Sequence, residues 1–195
     1  MTVISVVVGS TREGRFSEKP AQWIYRHLEK RDGVEVRLLD LRDFRLPFFD
    51  QQVPPAMPGR APYEHEEVKR WTAAIAQSDG FVFVTGEYNY GPTAVLKNAL
   101  DWVYQEWNRK ALGFVSFGGT GGVRAVQQLR ETAIELQLAP VRNSVHVPAT
   151  TLWAHFQGQS AEIEAGLAAL DDKAGLLIDD LLWWTAALKT ARAAA

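Results

Sequence analysis

The chain contains no cysteine, which excludes a disulfide framework, a thiol nucleophile and a thiolate metal site. Charge of one sign is also missing. Its 21 basic and 23 acidic residues leave a formal net charge of −2, and no basic stripe marks nucleic acid as the main partner. No run of about 18 apolar residues is present, so the sequence offers no membrane-spanning helix. Met1 and Thr2 lead directly into an apolar run without a basic n-region or a cleavage site, and the expectation is a soluble, cytoplasmic chain. The histidines at 27, 65, 146 and 155 show no metal-ligand spacing and read as structural or solvated. A Gly-x-Ser-x-Gly elbow is missing too, so Ser-His-Asp hydrolysis has no support.

What is present is an alternation of strand and helix signals. At 195 residues the chain reads as one domain, large enough to bury about 70% of its unfolded surface. Residues 3–8 are a β-branched run. A helical pattern over 17–31 follows, with Ala21, Ile24, Tyr25 and Leu28 at i, i+3, i+4, i+7. Asp32-Gly33 turns into a second strand over 34–39. Residues 42–62 hold Pro47, Pro54, Pro55, Pro58 and Pro62 and read as one long loop. A helix over 63–77 leads to a buried strand, Phe81-Val82-Phe83-Val84, and Pro92 stands near the first position of a helix reaching about residue 107. Further strands are expected over 111–117 and 143–147, with a helix over 123–138 between them. A loop with Trp153, His155 and Phe156 leads to helix over 160–191, interrupted near Gly175. The pattern is α/β: a three-layer, doubly wound, five-stranded parallel sheet.

In such sheets ligands bind beyond the carboxyl ends of the strands, and two of those ends are unusual. The first strand runs into Gly9-Ser10-Thr11-Arg12-Glu13-Gly14-Arg15-Phe16-Ser17. A strand-to-helix turn presents backbone N–H groups and the positive end of the helix dipole to an anion. Ser10, Thr11 and Ser17 add hydroxyl donors, and Arg12 and Arg15 can pair with a phosphate. Gly9-x4-Gly14 has Walker A spacing, but Arg15-Phe16 replaces Lys-Ser/Thr, so a Mg²⁺-dependent nucleotide triphosphatase is not expected. Gly119-x-Gly121-x-x-Arg124 lacks the third glycine of a dinucleotide fingerprint. Ordinary solvated loop charges would explain the arginines less well than a terminal monophosphate does.

The third strand runs into Thr85-Gly86-Glu87-Tyr88-Asn89-Tyr90-Gly91. Glu87, Tyr88, Asn89 and Tyr90 form its tip, where freed N–H groups and two aromatic rings suit a flat heterocycle; the competing reading is a generic turn whose tyrosines pack on neighbours. Residues 116–122 end the next strand, and Gly118 and Gly119 allow close backbone approach to a ligand; the competing reading is a flexible connector, since glycine runs punctuate loops. An anion site and a flat-ring site on one sheet suggest a nucleotide, most readily a flavin. The helix after the ring loop carries Val95, Leu96, Ala99, Leu100, Trp102 and Val103, with Lys97 and Asp101 as an i, i+4 pair. Trp102 and Trp107 suit either a subunit interface or the chain's own sheet. Trp183-Trp184 reads as packing.

Gly9-Ser10-Thr11-Arg12, Glu87-Tyr88-Asn89 and Leu96-Lys97-Asn98-Ala99-Leu100-Asp101-Trp102 together resemble the NADPH-dependent FMN reductase family, over about residues 1–150. The resemblance implies a flavodoxin-like fold with strand order 2-1-3-4-5, non-covalent FMN, and a homodimer or homotetramer. It also implies NADPH or NADH as hydride donor and a small acceptor such as a flavin, quinone, azo compound or metal oxyanion. Carried over by position, Ser10, Arg12, Arg15, Phe16 and Ser17 hold the phosphate. Glu87, Tyr88, Asn89 and Tyr90 hold the isoalloxazine, largely through backbone, while Ser116, Gly118 and Gly119 line its other side. Gly86 stands where the family usually has proline; glycine loosens a turn and restores an N–H, so a more mobile ring loop or weaker flavin binding is expected. The implied chemistry is hydride transfer from NAD(P)H to flavin N5, then electron transfer to a second acceptor, with Tyr88, Asn89 and Tyr90 shaping access. A non-catalytic FMN carrier or redox sensor, and a flavin-free enzyme of nucleoside monophosphates, are the alternatives.

Overall fold

The computed structural model describes residues 1–58 and 63–194. Five strands, β1 (Thr2–Val8), β2 (Val34–Asp40), β3 (Gly80–Gly86), β4 (Ala111–Phe117) and β5 (Ala139–Val147), form one sheet in the order β2-β1-β3-β4-β5. Every neighbouring pair is parallel. This is the doubly wound sheet expected from the alternation, with the order the resemblance implied. Helices are α1 (Glu18–Glu29), α2 (Leu41–Phe44), α3 (Glu66–Ala76), α4 (Ala94–Asp101), α5 (Val123–Glu135), α6 (Ala149–Phe156), α7 (Ser160–Ala168) and α8 (Asp171–Ala193).

Strand residues alternate between two cores because successive side chains leave opposite faces. Ile4, Val6, Val82 and Val84 pack with α1, α7 and α8. Phe81, Phe83, Leu112 and Phe114 pack on the other face with α2, α3, α4 and α5. The β3–β4 ladder runs without a break from Gly80↔Ala111 to Gly86↔Phe117, so the two strands end level and their loops leave the sheet side by side. Val8↔Asp40 ends the β1–β2 ladder in the same way.

Several boundaries differ from the sequence expectation, each for a visible reason. Pro92 lies outside its helix: Thr93 caps α4, accepting from the Leu96 N–H at 3.3 Å, and donates its hydroxyl to the Gly9 carbonyl, which ties the start of α4 to the tip of β1. That helix stops at Asp101 rather than near 107. A 3₁₀ turn, Gln105–Trp107, follows, because Trp102 and Trp107 are both fully buried in the chain's own core. Trp107 packs edge-on to Phe81 at 4.8 Å, and the Trp102 indole donates to the Pro47 carbonyl at 2.7 Å. The expected 42–62 loop begins with α2, and Pro62 lies outside the described residues. β5 starts four residues earlier than expected, at Ala139, and its register against β4 shifts between Leu112 and Phe114, where Pro140 is tolerated on an edge strand.

Residues 149–156, expected as loop, form α6 directly after Pro148, with Thr151 and Ala154 facing inward. The C-terminal break falls at Ala169-Leu170, not near Gly175, which sits inside α8. Asp171 and Asp172 occupy the first turn of α8, where acidic side chains favour a new helix start. The buried stripe of α8 is Ala174, Leu177, Ile178, Leu181 and Thr185. That register turns Trp183 and Trp184 outward, 66% and 44% exposed, stacked edge-on against each other, rather than into the core. Among the described residues no helix is long and apolar enough to cross a membrane.

Candidate active site

The loop between β1 and α1 has the features of an anion cradle. Among the described residues, no acceptor takes the N–H groups of residues 11–16. Ser17 stands at the head of α1 with helical dihedrals (φ −54°, ψ −25°) and makes no capping bond. Its hydroxyl is buried and has no partner among the described residues. A buried polar atom left this way costs stability unless something absent from the fold satisfies it.

The two arginines of the loop divide their work. Arg15 is 5% exposed and faces inward: it donates to both carboxylate oxygens of Asp40, to the Ser10 carbonyl, and to Glu18 at 3.0 Å. The charge expected to meet an anion is thus spent on holding the loop to the tip of β2. Burial opposes the charged form of Arg15, but Asp40 and Glu18 outweigh it and raise its pKa. Arg12 is the free cation. Its guanidinium lies 5.9 Å from the Tyr88 ring and 5.8 Å from the Phe156 ring, without a carboxylate partner among the described residues. Phe16 is buried, edge-on to Phe117 at 5.1 Å and to His155 at 5.5 Å; it supports the loop from below. His155, read as structural, bonds the Gly14 carbonyl at 2.8 Å from α6.

The tip after β3 is a tight reversal. Tyr88 and Gly91 exchange both backbone bonds, at 2.9 and 3.0 Å, and Asn89 and Tyr90 both take positive φ, 48° and 72°. Asn suits that conformation; tyrosine adopts it at a cost. The Glu87 N–H is used by the Phe117 carbonyl at 2.9 Å, so the N–H groups of Asn89 and Tyr90 are the ones left open. The Glu87 carboxylate, 5% exposed, accepts from Arg124 Nε at 2.6 Å and from the Arg124 N–H at 3.1 Å. Arg124 in turn lies 3.8 Å from the Tyr90 ring centre, and Gln128 donates to the Tyr90 carbonyl at 2.9 Å. The loop is therefore tied down from α5 despite Gly86, where an added Cβ would meet the Phe117 ring at 3.0 Å and the Tyr88 ring at 3.2 Å.

Ser116 lies beneath the third tip. Its hydroxyl donates to the Gly121 carbonyl at 2.7 Å and meets His146 Nδ1 at 2.8 Å, and burial holds the His146 pKa below its ordinary value. Gly122 has φ 78°, and an added Cβ would sit 2.8 Å from the Phe117 nitrogen, so only glycine closes this turn. Gly118 and Gly119 face a cleft of about 250 Å³ that Ser10, Arg12, Tyr88 and Phe117 also line. Its far wall is α6, through Leu152, Trp153 and Phe156. Ser10 Oγ and the Tyr88 hydroxyl, 3.3 Å apart, join the first two tips. The expected residues Ser10, Arg12, Arg15, Phe16, Glu87, Tyr88, Gly118 and Gly119 thus line one space. Thr11 faces a different cavity, Tyr90 the outer side, and Ser17 and Ser116 lie below. Sequence reasoning missed Asp40 and the clamp of Arg124 on Glu87. An acidic residue ending the second strand was the signal for the first; the second had none.

A parallel sheet of this order with an anion cradle and an aromatic cleft at its carboxyl edge defines a flavodoxin-like nucleotide-binding protein. Residues 1–151 match the NADPH-dependent FMN reductase family, and the chain belongs to it. It is 39% identical over 147 residues to an NAD(P)H-dependent FMN reductase of Schizosaccharomyces pombe, covering 74% of this chain and 73% of that one. A Nectria protein of the same description is 37% identical over 148 residues, covering 73% and 74%. Among solved structures, FerB of Paracoccus denitrificans, a flavoenzyme NAD(P)H:(acceptor) oxidoreductase, superposes with a TM-score of 0.61 at 21% identity, over 91% of this chain and 99% of that one. The protein is by family an oxidoreductase that uses FMN and NAD(P)H, and the residues at the strand ends fit FMN: the buried hydroxyl of Ser17, the unclaimed N–H groups of residues 11–16 and free Arg12 suit its phosphate.

Proposed function

We propose that the chain passes electrons from NAD(P)H through FMN to a small flat acceptor such as a quinone, flavin or azo compound. The observation that supports this most is the pairing of unclaimed donors around the buried Ser17 hydroxyl with an aromatic-walled cleft one residue away. Bound FMN supplies acceptance of a hydride from NAD(P)H and delivery of its electrons onward. The chain's own residues bind and orient. Ser17, Arg12 and the N–H groups of residues 11–16 hold the phosphate. Asn89 and Tyr90 offer backbone donors to the ring edge, Gly118 and Gly119 admit it closely, and Ser116 fixes the glycine turn from below. Arg15 keeps the cradle shaped instead of touching the anion. Trp153 and Phe156, 58% and 52% exposed, give a flat acceptor a stacking surface and exclude water from the cleft. Glu87 is committed to Arg124, so no acid–base pair is assigned. A homodimer is part of the proposal, supported by the exposed apolar side chains of Phe48, Val53 and Met57 in the segment after α2.

An anaerobic visible spectrum of the protein with added FMN, before and after NADPH, tests this reading. Shifted flavin bands that bleach on NADPH are expected. Shifted bands that persist would make the protein a carrier or sensor, and unshifted bands would remove the flavin site altogether.

A further inference from the structure

Ser116 and His146 are partners across the β4–β5 ladder, so their side chains leave the same face of the sheet side by side. The turn after β4 folds back onto this pair. A Cβ added at Gly121 would lie 3.2 Å from His146 Cβ, and one added at Gly122 would lie 2.8 Å from Ser116 Cβ. Hydrogen bonding gives the contact a direction. The Gly121 carbonyl can only accept, so Ser116 spends its single hydroxyl proton there, at 2.7 Å. The 2.8 Å contact between Ser116 Oγ and His146 Nδ1 is then a hydrogen bond only if Nδ1 carries the proton. Burial, with the charges of Arg130 on α5 and Lys173 on α8, outweighs a backbone hydrogen bond at Gly121 and holds the imidazole pKa low. The ring is therefore neutral at about pH 7, with Nε2 bare. A donor at Nδ1 turns the serine hydroxyl toward Gly121; an acceptor there would turn it away.

We propose that His146 is a positioning residue for the flavin ring: its Nδ1 proton aims the Ser116 hydroxyl at the Gly121 carbonyl and so presets the turn that brings Gly118 and Gly119 to the cleft. The inference rests on the FMN reading above and extends it to a residue beneath the site. A preset turn lowers the ordering cost that binding must meet. The same turn runs directly into α5, whose Arg124 N–H donates to Glu87 at 3.1 Å. Releasing Gly121 from Ser116 therefore loosens the clamp on the ring loop as well.

Long-range proton–nitrogen correlation NMR of the histidine rings in the FMN-free protein reads the tautomer without flavin or turnover. A protonated Nδ1 and a bare Nε2 are expected for His146, and the opposite tautomer would overturn the proposal. Flavin titration then separates a hydrogen-bond donor from a space-filler. His146→Leu, which removes the donor, should weaken FMN binding by about threefold to tenfold. His146→Asp should do the same, because a carboxylate held ionised beside Arg130 and Lys173 accepts the serine proton. His146→Asn, whose Nδ2 can stand close to the place of Nδ1, should restore both the affinity and the wild-type flavin spectrum. Ser116→Ala combined with His146→Leu should cost no more than Ser116→Ala alone, since both changes break one relay. Equal losses in the Leu, Asp and Asn variants, or additive losses in the double variant, would make His146 a packing residue and overturn the proposal. Unshifted flavin bands in the wild type would remove the FMN reading and this inference with it. Shifted bands together with a protonated Nε2 and a bare Nδ1 would remove this inference alone.

Discussion

Arg15 and Asp40 form a two-pronged ion pair between the phosphate loop and the tip of β2, with Nη1 donating to Oδ1 at 2.7 Å and Nη2 to Oδ2. The Arg15 side chain is 3% exposed and that of Asp40 20%. Burial would raise the Asp40 pKa, but hydrogen bonds from Arg15 and from the Arg42 N–H, with the charges of both arginines, outweigh it and hold the carboxyl below its ordinary value. A depressed carboxyl stabilises the fold above its unfolded pKa, about 3.9, and that contribution is lost as pH falls through the folded value. Asp40→Asn leaves the buried guanidinium with only the solvent-exposed Glu18 as counter-charge and should cost about 2–4 kcal/mol at pH 7. Urea unfolding at pH 7 and pH 3 checks it: the gap between wild type and variant should narrow in acid. A gap that stays constant would mean the pair contributes shape, not charge.

Ser17 separates ligand chemistry from scaffolding by opposite signs. Its buried hydroxyl has no partner among the described residues, so Ser17→Ala should stabilise the FMN-free protein by about 1 kcal/mol. If Ser17 holds the phosphate as proposed, the same change removes a donor to it and should weaken FMN binding by about threefold to tenfold. Thermal unfolding without flavin and a flavin titration read the two effects separately. A variant that is both less stable and unchanged in affinity would take Ser17 out of the site.

How far the sequence leads can be judged at particular residues. The β-branched runs and the glycine and serine turns place all five strands, since buried parallel strands leave near-continuous apolar stretches. The motifs also place Arg12, Tyr88 and Gly118 on one cleft. What is local to a strand tip is legible; what depends on a partner brought in by topology is not. Arg12 and Arg15 look alike in sequence, and only the β1–β2 register, which ends at Val8↔Asp40, spends one and frees the other. Trp102 and Trp183 show the same limit. Both sit in apolar helical stretches, yet one is fully buried and the other 66% exposed, because helix register against the sheet is a tertiary property.

Glu87 offers a test of whether this site uses a protein acid. With its carboxylate bound to Arg124 and nearly excluded from solvent, its role is to hold the ring loop. Its hydrogen bond is the largest cause of the raised Arg124 pKa, followed by opposing desolvation and by the charge of Glu87. Glu87→Gln should weaken FMN binding by about threefold to thirtyfold, the value of a charge-assisted bond, while the pH profile of kcat keeps its shape. A profile that loses an ionisation in the variant would instead make Glu87 a proton donor or acceptor in turnover.

Lys110 lies at the opposite end of the sheet and predicts a stability change on the alkaline side. Its ammonium donates to the carbonyls of Ile75 and Ala76 at 2.7 and 3.1 Å, ending α3, and sits 5.8 Å from the Phe81 ring. Burial, with help from the charge of Arg192, overcomes the attraction of Asp79 and Glu106 and pushes its pKa down to about 8. Below that pH the lysine is charged in both folded and unfolded chains, and the cost of burying the charge is present in full. Between about 8 and 10.4 the unfolded chain binds more protons than the folded one, so stability rises with pH, by up to about 3 kcal/mol. Lys110→Met removes this titration while keeping the aliphatic stem. Urea unfolding of both proteins from pH 7 to 10.5 should therefore show the wild type gaining on the variant through that window. Parallel curves would mean that the folded chain solvates the ammonium and that its pKa is not depressed.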